Sequence, residues 1–318
     1  MTFELTQRYP HVLSIAGSDS GGGAGIQADL KTFAALGCFG MTAITALTAQ
    51  NTCGVRSIHG VPPDILRDQI DAVMEDIGVD AVKIGMLHAP DIVRTVAQAL
   101  DKHQPPHVVF DPVMVATSGA VLIDAEAIHV LVAELFARVA LITPNLDEAG
   151  LLVGKPLSSV QDMLPAAQAL LGQGARAVLL KGGHLPGEEV VDLLLASGAE
   201  PVWMHGPRIH SPNTHGTGCT LSSAVAAYLA LGHTLPDAVQ QAREFVRQAM
   251  AAGATVKTGQ GSGPLNHGFA PVVMRVCPCS ESSPAPRAKI ADLLVMPDTD
   301  GLDGETPRLR DLGRPNEH

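Results

Sequence analysis

The chain is poor in aromatic residues: one Trp, two Tyr and seven Phe make up 3% of its 318 residues. Hydrophobic residues nevertheless reach 46%, so the core has to consist mainly of Ala, Val, Leu and Ile. This mixture is typical of buried parallel strands covered by helices with small side chains. The length suits one large α/β domain or two smaller domains.

Positive charge is also scarce. The 21 Lys and Arg residues are outnumbered by 32 Asp and Glu residues, which gives a net charge of −11, and no basic cluster occurs. This balance argues against nucleic acid or an anionic membrane surface as a partner. The first ten residues lack the apolar core of a signal peptide, and no later apolar run is long enough to span a bilayer. We therefore expect a cytoplasmic enzyme without a membrane partner.

The five cysteines do not form a disulfide pattern. Cys38, Cys53 and Cys219 occur singly, which fits reduced thiols better than a disulfide framework. Cys277 and Cys279 form a C-x-C pair near the end of the chain, and no further metal ligands lie close to it in sequence. We interpret that pair as incidental.

Apolar β-type runs alternate with helical patterns through most of the chain. Such alternation predicts an α/β fold, with a parallel central sheet, right-handed crossovers and helices on both faces. The run 39–47 reads as one strand, and the runs 190–195 and 201–204 are close enough to pair as a hairpin or an edge meander. After residue 271, prolines and mixed charges replace the helical periodicity. We predict a domain at 11–271 and a tail at 272–318 that is disordered or loosely docked.

Charged side chains follow several predicted strands directly, where the loops of an open α/β sheet form the ligand crevice. Asp111 and Glu148 follow different strands and offer the carboxylate ligands that Mg²⁺ accepts together with water and substrate phosphates. Taken singly, Asp111 could belong to a turn and Glu148 could cap its helix. Lys181 could reach nucleotide phosphates, although a lysine at a strand end is often only solvated.

Gln50 and Met86 are candidates for recognition of a flat ring. The amide of Gln50 can donate and accept hydrogen bonds at once, as a heteroaromatic ring with an exocyclic amine requires. Met86 offers an apolar wall, although a methionine in such a run is more often part of the core. Two phosphate fingerprints are absent: no G-x-x-x-x-G-K-[ST] motif occurs, and the first glycine-rich loop lacks the G-x-G-x-x-G spacing of a dinucleotide site. We therefore discount NAD.

The stretch 213–220, Asn-Thr-His-Gly-Thr-Gly-Cys-Thr, precedes a run of small and apolar residues with helical composition. Its glycines allow a tight turn, so N–H groups of the helix start point at one spot and attract an anion. Cys219 lies in this turn, where the positive end of the helix dipole favours thiolate over thiol. We predict a phosphate site centred on Cys219; the alternative is a buried cysteine at an ordinary helix start. His184 and His215 receive no role, because a lone loop histidine is more often structural.

Nine segments of the chain share their motifs, order and spacing with one enzyme family. They are 14–19, 22–32, 44–52, 83–87, 111–114, 143–149, 181–184, 213–220 and 261–267. In these segments the chain resembles the hydroxymethylpyrimidine kinase/phosphomethylpyrimidine kinase family of thiamine biosynthesis, which belongs to the ribokinase superfamily.

The resemblance implies a ribokinase-like single domain without a large lid, ATP as the phosphoryl donor, Mg²⁺ as cofactor and a homodimer. ATP would phosphorylate the alcohol of 4-amino-5-hydroxymethyl-2-methylpyrimidine and then the resulting monophosphate. Cys219 takes the position of the aspartate base of most sugar kinases. The other implied residues are the anion hole at Gly216, Thr217, Gly218 and Cys219, the pyrimidine reader Gln50, the pocket residues Ala24, Asp29, Met86 and Val113, and the N-x-x-E pair Asn145 and Glu148 that organises Mg²⁺. Together with the strand-end residues, we predict nucleotide binding by Lys181 and Asn145 and a Mg²⁺ site at Asp111 and Glu148 through water.

Three other interpretations stay open at this point. A pyridoxal kinase of the same superfamily would also act on a hydroxymethyl heteroaromatic. A non-catalytic pyrimidine- or nucleotide-binding sensor is the second, although the joint presence of Asp111, Asn145, Glu148 and Cys219 argues against it. The third makes Cys219 the nucleophile of a hydrolase, but the flanking sequence does not form G-x-[SC]-x-G.

Overall fold

The strands and helices of the computed structural model follow the predicted alternation. The structure describes residues 6–114 and 125–279. The strands are β1 (Gln7–Arg8), β2 (His11–Ala16), β3 (Phe39–Ile44), β4 (Ala46–Asn51), β5 (Gly54–Gly60), β6 (Ala81–Ile84), β7 (Val108–Phe110), β8 (Leu141–Ile142), β9 (Ala177–Leu180), β10 (Glu189–Ala196), β11 (Val202–Pro207) and β12 (Cys277–Pro278). The helices are α1 (Gly25–Ala35), α2 (Pro63–Asp76), α3 (Pro90–His103), α4 (Ala125–Leu135), α5 (Leu146–Val153), α6 (Met163–Gly172), α7 (Thr217–Ala230) and α8 (Leu235–Gly253).

Eight of these strands form one sheet in the order β11-β10-β9-β8-β7-β6-β2-β3. Neighbouring strands from β3 to β9 run parallel, whereas β10 is antiparallel to both β9 and β11. Of the two predicted arrangements for these runs, the structure shows the hairpin, formed by β10 and β11 at the edge of the sheet. The predicted α/β fold with a mostly parallel central sheet is confirmed as well.

Helices cover both faces of the sheet, as predicted. On one face, α2 to α6 share an apolar core with Ile15, Ile84 and Phe110. On the other face, α1, α7 and α8 pack around Val12 and Val109. Because successive residues of a strand point to opposite faces, each central strand contributes to both cores. None of the helices within the described residues is both long and apolar enough to cross a membrane.

Strand β2 is the point at which the strand order reverses. The chain passes from β2 through α1 to β3, and later returns through α2 to β6 on the other side of β2. Because α1 and α2 pack on opposite faces, the loop after β2 opens a crevice between them. The topology therefore places the ligand crevice at the glycine-rich loop 17–25.

The prediction of one strand over 39–47 is wrong. Strand β3 ends at Ile44, and the chain leaves the main sheet to form the separate two-stranded sheet of β4 and β5. Thr45 fixes this departure, because its Oγ1 donates to the carbonyl oxygen of Met86 at 2.8 Å. Sequence analysis missed the hairpin because the apolar composition continues across Thr45. As a consequence, Gln50 lies on a hairpin beside the main sheet.

Helix α7 is the central helix of the face that also carries α1 and α8. All its residues from Thr220 to Ala227 are buried, and its small side chains let it lie close to the strands. The helix begins after Gly216, whose φ is 82°. The side chain of His267 supports the first turn: its Nε2 lies 2.9 Å from Oγ1 of Thr220, which donates to the carbonyl oxygen of Gly216 at 2.8 Å.

The first residues of the predicted tail lie against the domain. The N–H group of Val272 donates to the carbonyl oxygen of Ala35 at 3.0 Å, and that of Arg275 donates to Gly37 at 2.8 Å. Strand β12 pairs antiparallel with β1. The rest of the predicted tail, 280–318, lies outside the described residues, so the boundary between domain and tail stays a prediction.

The buried His267 predicts a loss of stability in mild acid. Burial lowers its pKa from 6.5 to about 4, so the unfolded state takes up the proton first as the pH falls. The folded state therefore loses stability between pH 6.5 and pH 4, on the order of 1–2 kcal/mol at pH 5 from this group. In urea unfolding at pH 7.5 and pH 5, a His267→Gln variant should lose less stability than the wild type. Equal losses in the two proteins would show that His267 does not contribute in this way.

Candidate active site

One cavity of about 990 Å³ opens at the carboxyl ends of the central strands. Its walls come from the loops that follow the parallel strands, from the hairpin of β4 and β5, and from the first turn of α7. The predicted site residues that line it are Ala24, Gln50, Met86, Asp111, Val113, Asn145, Glu148, Lys181, Gly216, Thr217, Gly218 and Cys219. Asp29 is the predicted site residue that the structure does not bring to this cavity.

The glycine-rich loop is folded around the carboxylate of Asp19. This buried group accepts hydrogen bonds from the N–H groups of Gly21, Gly23 and Ala24 at 2.8 to 3.0 Å. Nε2 of His215 lies 2.9 Å from its Oδ2, so the loop is tied to the turn before α7. Burial alone would raise the pKa of Asp19, but His215 and the backbone donors outweigh it and hold that pKa below its usual value.

Two glycines allow the loop and the turn to meet. Gly216 has a left-handed backbone, and a Cβ there would overlap the carbonyl oxygen of Gly23. A Cβ on Gly23 would lie 2.5 Å from Cδ2 of His215. The first turn of α7 consequently reaches the cavity. Among the described residues, the N–H groups of Gly218 and Cys219 find no hydrogen-bond acceptor, as is usual at a helix start.

The structure overturns the expectation of a thiolate at Cys219. Burial raises the pKa of its thiol to about 11, and the ammonium of Lys83 counteracts this only in part, because the carboxylates of Asp29 and Asp111 raise it further. The helix dipole favours the thiolate, but desolvation is the larger effect here. Cys219 therefore rests as a thiol at the cavity wall.

Asp29 also departs from its predicted place in the substrate pocket. It is fully buried behind the cavity wall, where its Oδ2 lies 2.9 Å from Nζ of Lys83. Lys83 borders the cavity in its place. Sequence analysis gave Lys83 no role, although a lone charge inside the apolar strand β6 is a usable signal, because lysines are almost never fully buried unless paired.

Lys181 and Asp111 form an ion pair next to the first turn of α7. Nζ of Lys181 lies 2.9 Å from Oδ1 of Asp111, which also accepts from Oγ1 of Thr143 at 3.0 Å. A Cβ on Gly218 would lie 3.2 Å from Nζ of Lys181, so the helix start and the ammonium face each other closely. Burial disfavours the ionised carboxyl, but Lys181 and Lys83 outweigh it and lower the pKa of Asp111. A helix N-terminus and a lysine thus converge on one position, which suits an anion.

Asn145 and Glu148 form the capping box of α5. Oδ1 of Asn145 accepts the N–H of Glu148 at 2.9 Å, and Oε2 of Glu148 accepts the N–H of Asn145 at 2.8 Å. Glu148 is therefore a helix cap, yet its carboxyl also lines the cavity. Burial raises the pKa of Glu148 to about 7, although the ammonium of Lys181 opposes the shift. A cation arriving at the cavity would favour the ionised form of this carboxyl.

Gln50 reaches the cavity from β4 and lies beside His215. The Nε2 atoms of the two side chains are 3.4 Å apart, and Oγ1 of Thr48 lies 3.3 Å from Oε1 of Gln50. His215 thus connects the predicted ring reader with Asp19. Sequence analysis missed this role, although His215 lies within the stretch 213–220 that it singled out. His184 lines the outer part of the cavity and is exposed, with Nδ1 at 2.8 Å from Asp147.

The cavity continues toward the edge hairpin of β10 and β11 and toward α8. Val246 and Met250 give this part an apolar wall. Beside it, Nε of Arg243 lies 2.7 Å from Oδ2 of Asp192, whose Oδ1 accepts the N–H of Gly182 at 2.8 Å. This buried pair connects the loop after β9 with α8.

Comparison with known proteins identifies the family. The family model described as phosphomethylpyrimidine kinase matches residues 19–266, which is most of the chain. The chain belongs to the phosphomethylpyrimidine kinase family. This chain is 46% identical over 258 residues to the hydroxymethylpyrimidine/phosphomethylpyrimidine kinase of Escherichia coli. The match covers 81% of this chain and 97% of the Escherichia coli protein.

A longer protein and a solved structure are also similar to this chain. The thiamine biosynthesis bifunctional protein of Geobacter sulfurreducens is 50% identical over 256 residues, which cover 80% of this chain but only 52% of that longer protein. An ADP complex of Bacillus subtilis pyridoxal kinase superposes with a TM-score of 0.76 at 38% identity, covering 82% of this chain and 98% of that one. The predicted family, the ribokinase-like fold and the phosphotransferase class of this enzyme are confirmed.

Substitution of Gly216 tests the contact between the turn and the glycine-rich loop. In Gly216→Ala the new Cβ overlaps the carbonyl oxygen of Gly23, so the turn has to move, and phosphoryl transfer should fall about 100-fold. Gly232→Ala is the matched control: its φ is 86°, but nothing lies within 4 Å of its Cβ.

The control should lose about 1 kcal/mol of stability, because the left-handed backbone is strained for alanine, and should keep its activity. ATP consumption and urea unfolding of both variants provide the comparison. Equal activities in the two would contradict the close contact.

Proposed function

We propose that this kinase transfers the γ-phosphoryl group of ATP to the alcohol of 4-amino-5-hydroxymethyl-2-methylpyrimidine and then to the resulting monophosphate, in thiamine biosynthesis. Membership of the family supports this function, and so does the similarity to a kinase named for both steps. The observation that carries the proposal is the convergence of the start of α7, the Lys181–Asp111 pair and Gln50 on one cavity. Groups suited to phosphates and a group suited to a polar ring share its walls.

The acceptor ring fits the part of the cavity near Gln50. The Gln50 amide can accept a hydrogen bond from the exocyclic amine and donate one to a ring nitrogen. Met86, Val113 and Ala24 offer apolar surfaces to a flat ring.

The phosphates of ATP fit beside the first turn of α7. Free N–H groups at this helix start attract an anion, and they are aimed at the cavity before the substrate arrives. The ammonium of Lys181 can neutralise charge on the transferring group, and Asn145 lies close by as the second predicted nucleotide-binding residue. The proposed anion hole consists of Gly216, Thr217, Gly218 and Cys219.

Asp111 and Glu148 fit Mg²⁺ held through water. Both carboxyls line the cavity, and Mg²⁺ prefers a few carboxylate ligands together with waters and phosphates. The raised pKa of Glu148, about 7, marks a buried carboxyl whose negative charge is not fully balanced by the protein. When bound there, Mg²⁺ would neutralise charge on the phosphates of ATP.

Cys219 lies at the turn where the acceptor hydroxyl and the γ-phosphate would meet. Phosphoryl transfer depends on positioning and charge neutralisation more than on a strong base. A resting thiol is compatible with this chemistry, because the hydroxyl has to lose its proton only as the bond to phosphorus forms. We propose that Cys219 orients the hydroxyl and that its minor thiolate form takes the proton.

The family resemblance also leads us to propose a homodimer in the cytoplasm.

A pyridoxal kinase is the second candidate function. The superposition on the Bacillus subtilis pyridoxal kinase favours it, since both substrates are hydroxymethyl heteroaromatics. Gln50 favours the aminopyrimidine, which offers a donor and an acceptor side by side. The second phosphorylation separates the two functions, because an enzyme restricted to pyridoxal would leave the pyrimidine monophosphate unchanged.

The decisive experiment measures ADP formation with three acceptors side by side: the pyrimidine alcohol, its monophosphate and pyridoxal. We expect turnover with the alcohol and with the monophosphate, the diphosphate as final product by mass spectrometry, and slower turnover with pyridoxal. Addition of EDTA should abolish turnover, because the phosphates then lack their divalent cation. Turnover with pyridoxal alone would replace the proposed function by the second candidate.

A further inference from the structure

Lys83 is a charged residue at the cavity to which the proposed reaction assigns no step. Its side chain is fully buried in β6, opposite Ser14 of β2. It lies on the face that α1 and α7 cover, where Ala81 and Val109 are its apolar neighbours on the central strands. Lys83 nevertheless borders the cavity.

The carboxylate of Asp29 holds the ammonium of Lys83 with both oxygens. Nζ lies 3.0 Å from Oδ1 and 2.9 Å from Oδ2. The hydroxyl of Ser14 donates to Oδ2 at 2.5 Å, and that of Ser223 donates to Oδ1 at 2.6 Å. Each oxygen of Asp29 thus receives two donors, one from Lys83 and one from a serine hydroxyl. Among the described residues, Asp29 provides the hydrogen-bond acceptors of Lys83. The ammonium of Lys83 has three N–H groups.

Gly85 leaves the space that the ammonium occupies. A Cβ on Gly85 would lie 2.9 Å from Nζ of Lys83 and 2.9 Å from Cβ of Ala16, which itself lines the cavity. The ammonium therefore lies near the carboxyl ends of β2 and β6, at the base of the cavity.

Stability alone explains this ion pair poorly. Removing two charges from water costs several kcal/mol per ion, and an apolar pair of similar volume is often as stable or more stable. Both side chains are completely buried and Lys83 borders the cavity; charged groups in such surroundings cluster at functional sites.

Helix α7 connects the pair to Cys219. Ser223, which donates to Asp29, lies four residues after Cys219, so both side chains are on the same face of the helix. The charged groups that act on the thiol are Lys83, Asp29 and Asp111, and Lys181 also interacts with it. Among these charges, Lys83 has the largest effect on the pKa of Cys219, and it lowers that pKa.

We infer that Lys83 is the counter-charge of the Cys219 thiolate, so that its ammonium stabilises the form of the sulfur that takes the proton of the attacking hydroxyl. The inference rests on the proposed kinase function. In the step, the hydroxyl oxygen bonds to the γ-phosphorus of ATP, the bond from that phosphorus to the leaving oxygen of ADP breaks, and the hydroxyl proton moves to Sγ. The thiol then returns the proton to water before the next turnover. Lys83 keeps its own proton and acts as a positioning residue.

Alkylation of Cys219 by iodoacetamide as a function of pH tests this inference without substrate or Mg²⁺. Serine replaces Cys53, Cys277 and Cys279 in every protein compared, whereas Cys38 is buried and burial raises its pKa to about 12. Lys83→Met should slow alkylation about tenfold at a fixed pH below the thiol pKa, which corresponds to an upward shift of one unit. The kcat should fall by a similar factor, with KM for ATP unchanged.

A second variant separates the electrostatic effect from misfolding, which could occur because Lys83→Met leaves the carboxylate of Asp29 in the core without its ammonium. The double variant Lys83→Met/Asp29→Asn removes both charges. Its thiol should still ionise at higher pH than in the wild type, because Lys83 affects the pKa of Cys219 more than Asp29 does.

Arg8→Met is the control. It removes an ion pair of 2.6 Å with Asp80 at the amino ends of the same strands, and its Cys219 should be alkylated at the wild-type rate.

A folded double variant that alkylates at the wild-type rate at every pH would overturn the inference. An altered KM for the pyrimidine with unchanged alkylation would do the same and would assign Lys83 to substrate binding. Because alkylation needs no substrate, this outcome is separate from the question whether the chain phosphorylates the pyrimidine.

Discussion

The contact between the turn before α7 and the glycine-rich loop after β2 is the constraint on which the site depends. Gly216 packs so closely against the carbonyl group of Gly23 that neither a side chain nor an ordinary backbone conformation fits there. Asp19 and His215 join the two segments from the side. The contact brings the N-terminus of a buried helix to the point where the strand order reverses, and the loops after the other strands then complete one cavity around it.

The charges of the cavity are arranged in pairs around this helix start. Asp29 holds Lys83, and Asp111 holds Lys181, so each buried ammonium has its own carboxylate. Burial raises the pKa of Glu148 more than the ammonium of Lys181 lowers it, so this carboxyl is suited to a divalent cation. Desolvation therefore sets the resting state of the site, and substrate and metal would supply the charges that change it.

Much of this architecture could be predicted from the sequence, because the patterns involved are local. The period of the apolar residues predicts the strands, and the residues directly after them, such as Asp111 and Lys181, necessarily meet at one edge of a parallel sheet. Long-range effects could not be predicted. The protonation of Cys219 depends on how deeply its thiol is buried. Lys83 rather than Asp29 borders the cavity because of the way α1 packs. The pairing of Asp19 with His215 joins residues that are far apart in sequence.

The most direct test of the account compares Cys219→Ala with the wild type in steady-state turnover of the pyrimidine alcohol and in ATP binding by calorimetry. The account predicts that kcat falls at least about 100-fold, the usual size of a lost proton-transfer group. Binding of ATP and of the pyrimidine should change little, because the other residues of the cavity remain. A folded Cys219→Ala protein with wild-type turnover would contradict the central role of this helix start.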